Sequence, residues 1–178
     1  MTGAFRAACA QFATGVLVVT TSTPDGDFGA TVNAFTALTL EPPQVLVCLA
    51  RTSRTRAAIE EARVFAVNVL AADQVAVARL FATAEPDKFS RLPVPVRRGA
   101  TGVPVLDGAL CTLECRLTDA IAKDTHIVLI AGVIRMRHDP MKTPAVFFRS
   151  RLYEGFGAAA GPEEGDWAAA AFLSAQGS

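Results

Sequence analysis

The sequence predicts a mainly β chain with short helices, an antiparallel barrel or sandwich whose helices lie at its ends. Three observations carry this. Runs of β-branched and aliphatic residues recur along the chain, with Gly, Pro and Asp turn signals between them. No regular alternation of strand and helix of the doubly wound kind is present. The glycine signatures GxGxxG, GxxxxGKS or GxxxxGKT, and GxSxG do not occur in the sequence.

The elements follow in order. Phe5, Cys9 and Phe12 are spaced as on one helical face, so Gly3 to Phe12 predicts a short amphipathic helix ending at Gly15. Val16 to Thr21 is a β-branched run that reads as a buried strand, and Pro24-Asp25-Gly26 is a turn signal. A second strand is expected over Gly29 to Phe35. Glu41-Pro42-Pro43 breaks the chain before a third, Gln44 to Ala50, which is almost wholly apolar. A polar loop, Arg51 to Thr55, then feeds a helix over Ala57 to Ala62, with Thr52 or Ser53 as N-cap and Glu60-Glu61 as a solvated pair.

Val64 to Leu70 predicts a fourth strand. Asp73 is the expected cap of a helix running through Phe81, with Val77, Leu80 and Phe81 facing inward. Residues 82–104, rich in Pro, Arg and Gly, read as a long surface excursion. Ala109 to Asp119 alternates, with Cys111, Leu113, Cys115 and Leu117 on one face and Thr112, Glu114 and Arg116 on the other. Thr125 to Met136 is a long apolar strand with Gly132 as its expected bulge. Pro144 to Ser150 supplies one more strand, and Trp167 to Leu173 a terminal helix. The chain divides into a domain over 1–154 and a tail over 155–178.

Composition narrows the function. The 178 residues are 51% hydrophobic, and 17 Lys and Arg balance 17 Asp and Glu. Such a chain lacks the basic footprint of nucleic-acid binding. Its apolar richness points to a homo-oligomer. No run of 18 apolar residues could span a membrane, and Met1 to Gln11 does not read as a signal peptide. The four cysteines, Cys9, Cys48, Cys111 and Cys115, have no zinc or redox CxxC spacing. On a strand Cys111 and Cys115 lie roughly 13 Å apart, too far for a disulfide. They read as reduced, mostly core cysteines of a cytoplasmic protein.

Candidate chemistry is sparse. With only His126 and His138 present, a three-histidine metal site is impossible. His138, beside Asp139-Pro140, reads as part of an exposed turn. His126 opens the long apolar strand, a common place for a structural histidine. No nucleophile–base pair follows from spacing, which suits chemistry supplied by a cofactor. The most suggestive feature is Arg51-Thr-Ser-Arg-Thr55, where a strand ends, guanidinium and hydroxyl groups follow, and a helix begins. That combination suits a phosphate, although a capped, solvated loop has the same composition.

A set of segments runs in order over residues 5–150: Phe12-Ala-Thr-Gly-Val16, Val18-Val-Thr20, Ala30-Thr-Val-Asn-Ala-Phe-Thr36, Leu40-Glu-Pro-Pro43, Val45-Leu-Val-Cys48, Arg51-Thr-Ser-Arg-Thr55 and Phe65-Ala-Val-Asn-Val-Leu70. Asp87-Lys-Phe89, Gly102 to Gly108, His126-Ile-Val128 and Gly132-Val133 complete the set. Together they resemble the short-chain flavin reductases of two-component flavin-dependent monooxygenases. The resemblance implies an antiparallel split β-barrel of the FMN-binding type, acting as a homodimer on FMN or FAD with NADH or NADPH as co-substrate. Reduced flavin would pass to a partner monooxygenase. The same barrel could instead retain its flavin for an organic substrate, or bind flavin without redox turnover.

The resemblance places Ala30, Thr31, Val32, Asn33 and Ala34 beside the flavin ring, and Cys48, Leu49 and Ala50 along the ribityl chain. It places Ser53, Arg54 and Thr55 at the phosphate, with Leu80 and Phe81 closing the far side. His126, as the catalytic candidate, joins Phe148 and Arg149 at the nicotinamide. No metal is implied. This chain departs from many relatives at Ala34, where they carry Ser. It departs again over Met141 to Phe148, which is apolar where relatives are often polar.

Overall fold

A computed structural model describes residues 2–156. The tail from 157 on, including the expected Trp167–Leu173 helix, lies outside the described residues.

Strands dominate. After helix α1 (Thr2–Cys9) come β1 (Thr14–Gly15), β2 (Leu17–Thr23), β3 (Gly26–Val32), β4 (Phe35–Leu40) and β5 (Pro43–Ala50). Helix α2 (Arg54–Ala62), β6 (Val64–Val69) and α3 (Val75–Phe81) follow. Then come β7 (Val96–Arg98), β8 (Pro104–Leu106), β9 (Cys111–Lys123), β10 (His126–His138), β11 (Ala145–Phe148) and β12 (Arg151–Glu154).

Seven strands form one antiparallel sheet in the order β3-β2-β6-β9-β10-β5-β4. Its two edge strands, β3 and β4, are consecutive in the chain and joined by Asn33-Ala34. No ladder links them, so the barrel is split there. A bond from the Cys48 amide to the Ala34 carbonyl (3.0 Å) crosses the corner. The alternation of β5 sends Val45, Val47 and Leu49 inward. They meet Leu17, Val19, Phe65, Val67, Cys115, Leu117, Ile127 and Leu129 in one core, plugged at its end by Ile59 of α2.

β2 is buried on both faces, which explains its continuous apolar run. Outside it, Val18 packs with Val75, Val77, Ala78, Phe81 and Leu106 in a second core. A buried polar network ties the layers. Asn68 donates to the Val18 carbonyl and the Thr20 hydroxyl, and accepts from the Leu106 amide.

Several expectations are corrected. Helix α1 stops at Cys9, and Phe5 and Phe12 are exposed because no part of the described chain packs on that face. The expected Gly29–Phe35 strand is two strands turned apart at Asn33-Ala34. Asp73 caps nothing; it sits inside a single 3-10 turn, facing Lys142 at 3.7 Å, while the Gln74 side chain accepts from the Ala71 amide. Glu60 is paired with Arg56, one turn earlier on α2, and only Glu61 is solvated.

The 82–104 stretch is structured. It holds a 3-10 turn and β7, and Phe89, Leu92 and Val94 pack on the second core. The polar face of β9 is half covered, since Thr112 and Glu114 are buried and only Arg116 is exposed. Register shifts fall on either side of Gly132, while Gly132 itself pairs with Arg116 and Gln44. His138 closes β10 as its exposed last residue.

The expected last strand shortens to Ala145–Phe148, and β12 pairs back on it through Arg149 and Ser150. Both turn residues have positive φ, 49° and 61°, without the Gly or Asn that marks such hairpins in sequence. All four cysteines are free; Cys115 is buried, but Cys9 is exposed.

Candidate active site

A cavity of about 840 Å³ opens where the barrel is split. That lies in the size range of small-molecule sites. One wall is strand backbone: β3, the Asn33-Ala34 corner and Cys48-Leu49-Ala50 at the end of β5. The floor is the start of α2, and the roof is the loop 82–89 that leaves α3.

Every predicted cofactor residue except Leu80 lines this one cavity: Ala30, Thr31, Val32, Asn33, Ala34, Cys48, Leu49, Ala50, Ser53, Arg54, Thr55 and Phe81. His126 stands on its rim, where β10 begins opposite Ala50. Phe148 and Arg149 are elsewhere, in the β11–β12 hairpin. There the Arg149 guanidinium stacks 5.0 Å from the Phe148 ring centroid and donates to Gln11 at 2.9 Å.

The start of α2 presents free backbone donors to the cavity. Ser53 is the N-cap and accepts from the Arg56 amide at 3.3 Å, while the Ala57 amide returns to the Ser53 carbonyl. The amides of Arg54 and Thr55 then find no acceptor among the described residues, as expected for the first turn of a helix. At the other end, the carbonyls of Asn33 and Ala34 accept from Phe35 and Cys48, but their own amides find no acceptor among the described residues. The Thr31 hydroxyl has its proton committed to the Ala78 carbonyl (2.7 Å) and is left only as an acceptor.

Burial pushes the Cys48 thiol up, so the wall carries a neutral sulfur rather than a nucleophile. His126 Nδ1 lies 2.9 Å from the Thr125 hydroxyl, which orients the ring. Among the described residues no group of His, Cys, Asp and Glu could hold a metal ion. The site presents donors and shape.

The sequence reading assigned no role to three parts of the cavity. One is Lys88 with the loop around it, whose only signal was the Asp87-Lys-Phe89 motif. A second is the β2–β3 hairpin from Asp25 to Phe28. The third is Gly29 itself, whose role is steric. A Cβ there would stand 2.4 Å from the Phe81 ring, so glycine lets β3 pass beneath that wall.

Residues 9–155 match the flavin reductase like domain family. The chain is 38% identical over 148 residues to the reductase component of a 4-nitrophenol 4-monooxygenase/4-nitrocatechol 2-monooxygenase from Rhodococcus opacus, covering 83% of this chain and 78% of that one. It is 39% identical to an FMN reductase (NADH) from Agrobacterium fabrum, covering 77% and 79%. Among solved structures, an NADH:FAD oxidoreductase of Streptomyces globisporus in complex with NAD and FAD fragments superposes with a TM-score of 0.84. That match has 30% identity and covers 90% of this chain and 95% of that one.

Proposed function

The chain belongs to the flavin reductase like family, and from that membership we propose that it is an NAD(P)H:flavin oxidoreductase, reducing FMN or FAD for a partner monooxygenase. The observation that carries this reading is a cavity whose two ends offer, among the described residues, unpaired amides on opposite sides of a strand wall. Flavin has the matching polarity, with a hydrogen-bonding pyrimidine edge at one end and a phosphate at the other.

Bound there, flavin supplies the ring that accepts hydride. The chain's own residues do the rest. Ser53, Arg54 and Thr55 hold the phosphate end, and Cys48, Leu49 and Ala50 border the ribityl chain. Backbone from Ala30 to Ala34 flanks the ring, and the Asn33 and Ala34 amides donate to its pyrimidine edge. Such donors favour the negative charge that reduction places there. Phe81 closes the far wall. His126, oriented by Thr125, borders the nicotinamide and sets the face-to-face approach on which transfer depends. For Phe148 and Arg149 the nicotinamide role rests on the family resemblance alone.

The protein acts as a homodimer, a reading supported by Phe5, Phe12, Met136 and Met141, all exposed in the single chain. It works in the cytoplasm, as its free cysteines suggest.

The test is anaerobic reduction of excess FMN and FAD by NADH and NADPH, followed by loss of visible flavin absorbance. Catalytic bleaching is expected. Stoichiometric bleaching of bound flavin alone would replace a diffusible product with a retained group. No bleaching would overturn the reductase reading.

A further inference from the structure

We infer that the acidic stretch Glu163-Glu164-Gly165-Asp166 of the C-terminal tail docks on an arginine cleft under the β7–β8 hairpin, so that the tail returns to its own chain. The cleft is separate from the flavin cavity, and the inference does not depend on the reductase reading.

A second cavity, about 250 Å³, lies between that hairpin and the β9–β10 ladder. Arg97 and Arg98 line it from the hairpin, and Arg135 and Arg137 from β10. Arg135 and Arg137 pair with Glu114 and Thr112 of β9, and all four share one face of the sheet. Arg97 gives only its Nε to Asp107, at 2.6 Å, and keeps both terminal nitrogens. Arg98 is taken up by Asp27. Arg135 and Arg137 are exposed and have no carboxylate within salt-bridge distance among the described residues. The nearby acids are spent elsewhere. Glu114, which Arg135 helps to keep ionised, accepts from the Ala100 and Thr101 amides. Asp139, two residues beyond Arg137, accepts from the Met141 amide at 3.0 Å. The cleft thus carries more positive charge than the described residues around it neutralise.

The chain itself supplies anions. Beyond the described residues, 157–178 hold Glu163, Glu164 and Asp166 and no Lys, Arg or His. The whole chain balances 17 basic residues against 17 acidic ones, so without those three acids the rest is positive. The tail also departs from the same side of the molecule. Gly155 lies against Thr143, where a Cβ would stand 3.4 Å from the hydroxyl oxygen. Next to Thr143, Lys142 donates to the Gly108 carbonyl at 2.7 Å, and the adjacent Asp107 holds Arg97. Glu163 is seven residues beyond Phe156, a span of roughly 23 Å when extended, which passes the Lys142 and Arg97 side chains. Carboxylates meeting forked guanidinium groups form charge-assisted hydrogen bonds, and the short tether raises the effective concentration of one for the other. Trp167 follows Asp166 directly, and an indole brought to the cleft stacks on guanidinium.

Trp167 is the single tryptophan of the chain, so its fluorescence reports on the tail alone. The experiment is acrylamide quenching of that fluorescence in the full chain without added flavin. The parent is compared with Glu163→Lys/Glu164→Lys, with Arg137→Glu, and with all three changes together, melting curves alongside. The tail variant leaves every described residue in place, so its barrel is that of the parent. The parent should be quenched about threefold less steeply than the tail variant or Arg137→Glu, and the triple variant should recover the protection. In about 1 M NaCl, where screening acts within roughly 3 Å, the parent should approach the variants. Equal quenching of the parent and the tail variant would overturn the inference, as would no recovery in the triple variant. Protection that disappears on dilution would put the tail on a second copy of the chain and overturn it too. None of these readings involves flavin, so the reductase reading stands or falls separately.

Discussion

Two charged sites in this molecule have opposite bookkeeping. Under the β7–β8 hairpin, Glu114 is 6% exposed, yet every part of its charge is met. Its Oε1 accepts from the Ala100 amide at 3.1 Å, and its Oε2 from the Thr101 amide and hydroxyl at 2.8 Å each. Gly99 lets that segment close in, since a Cβ there would stand 2.6 Å from the carboxylate. Burial alone pushes the Glu114 carboxyl up, but the Thr101 and Ala100 hydrogen bonds, with Arg135 nearby, outweigh it and hold the group below the ordinary glutamate value. In the cavity, by contrast, Arg54 on the floor and Lys88 on the roof have no carboxylate within salt-bridge distance among the described residues. A buried charge that is fully matched binds the chain to itself; a cation at a cavity without a carboxylate partner is available to a ligand.

The strongest way to break this contrast is Glu114→Ala. It leaves the Ala100 and Thr101 amides unmatched and should cost about 3 kcal/mol of stability in urea denaturation. Flavin affinity of the folded protein should not change; a weakened site at unaltered stability would erase the distinction between the two regions.

Arg54→Ala tests the other side. It should weaken FMN binding by about 1.5–3 kcal/mol, the range for hydrogen bonds to a charged group, with the melting temperature unchanged. Flavin titration showing parental affinity would remove Arg54 from the phosphate end.

His126→Ala asks whether the rim matters separately from the floor. Stopped-flow reduction by NADH should slow roughly tenfold through lost orientation, while flavin affinity holds. Parental rates would make His126 a structural residue at the start of β10.

The smallest effect is the acid limb of stability. The Glu114 value is lower in the folded chain than in the unfolded one. Its contribution is therefore complete above the unfolded glutamate value, about 4.3, and is lost as pH falls through the folded one. Glu114→Gln should flatten that part of the stability–pH curve. An unaltered acid limb would show that the carboxylate is not what anchors the hairpin.

Much of this was legible before the fold was known. The strand runs at β2, β5, β6 and β10 were clear because each is β-branched and apolar over most of its length. A cap at Thr52 or Ser53 was legible from the hydroxyls before the helix, and the structure puts it at Ser53. The burial of Glu114 was not legible. Strict alternation on β9 says which residues share a face, and is silent about what the chain later lays over that face. Lys88 was hidden for a similar reason, since a lysine in a Pro- and Arg-rich stretch looks like any solvated charge.

The sequence by itself determined the β class, most strand positions, the α2 cap and, through ordered motifs, the family. Those are properties of short segments, set by periodicity, caps and turn chemistry. Only the tertiary structure decided that the β3–β4 corner, the α2 start, the 82–89 roof and the His126 rim enclose one cavity, and that the Phe148–Arg149 hairpin does not. Those juxtapositions join residues far apart in the chain, and they depend on how the sheet curls and where it stays split, which no local pattern encodes.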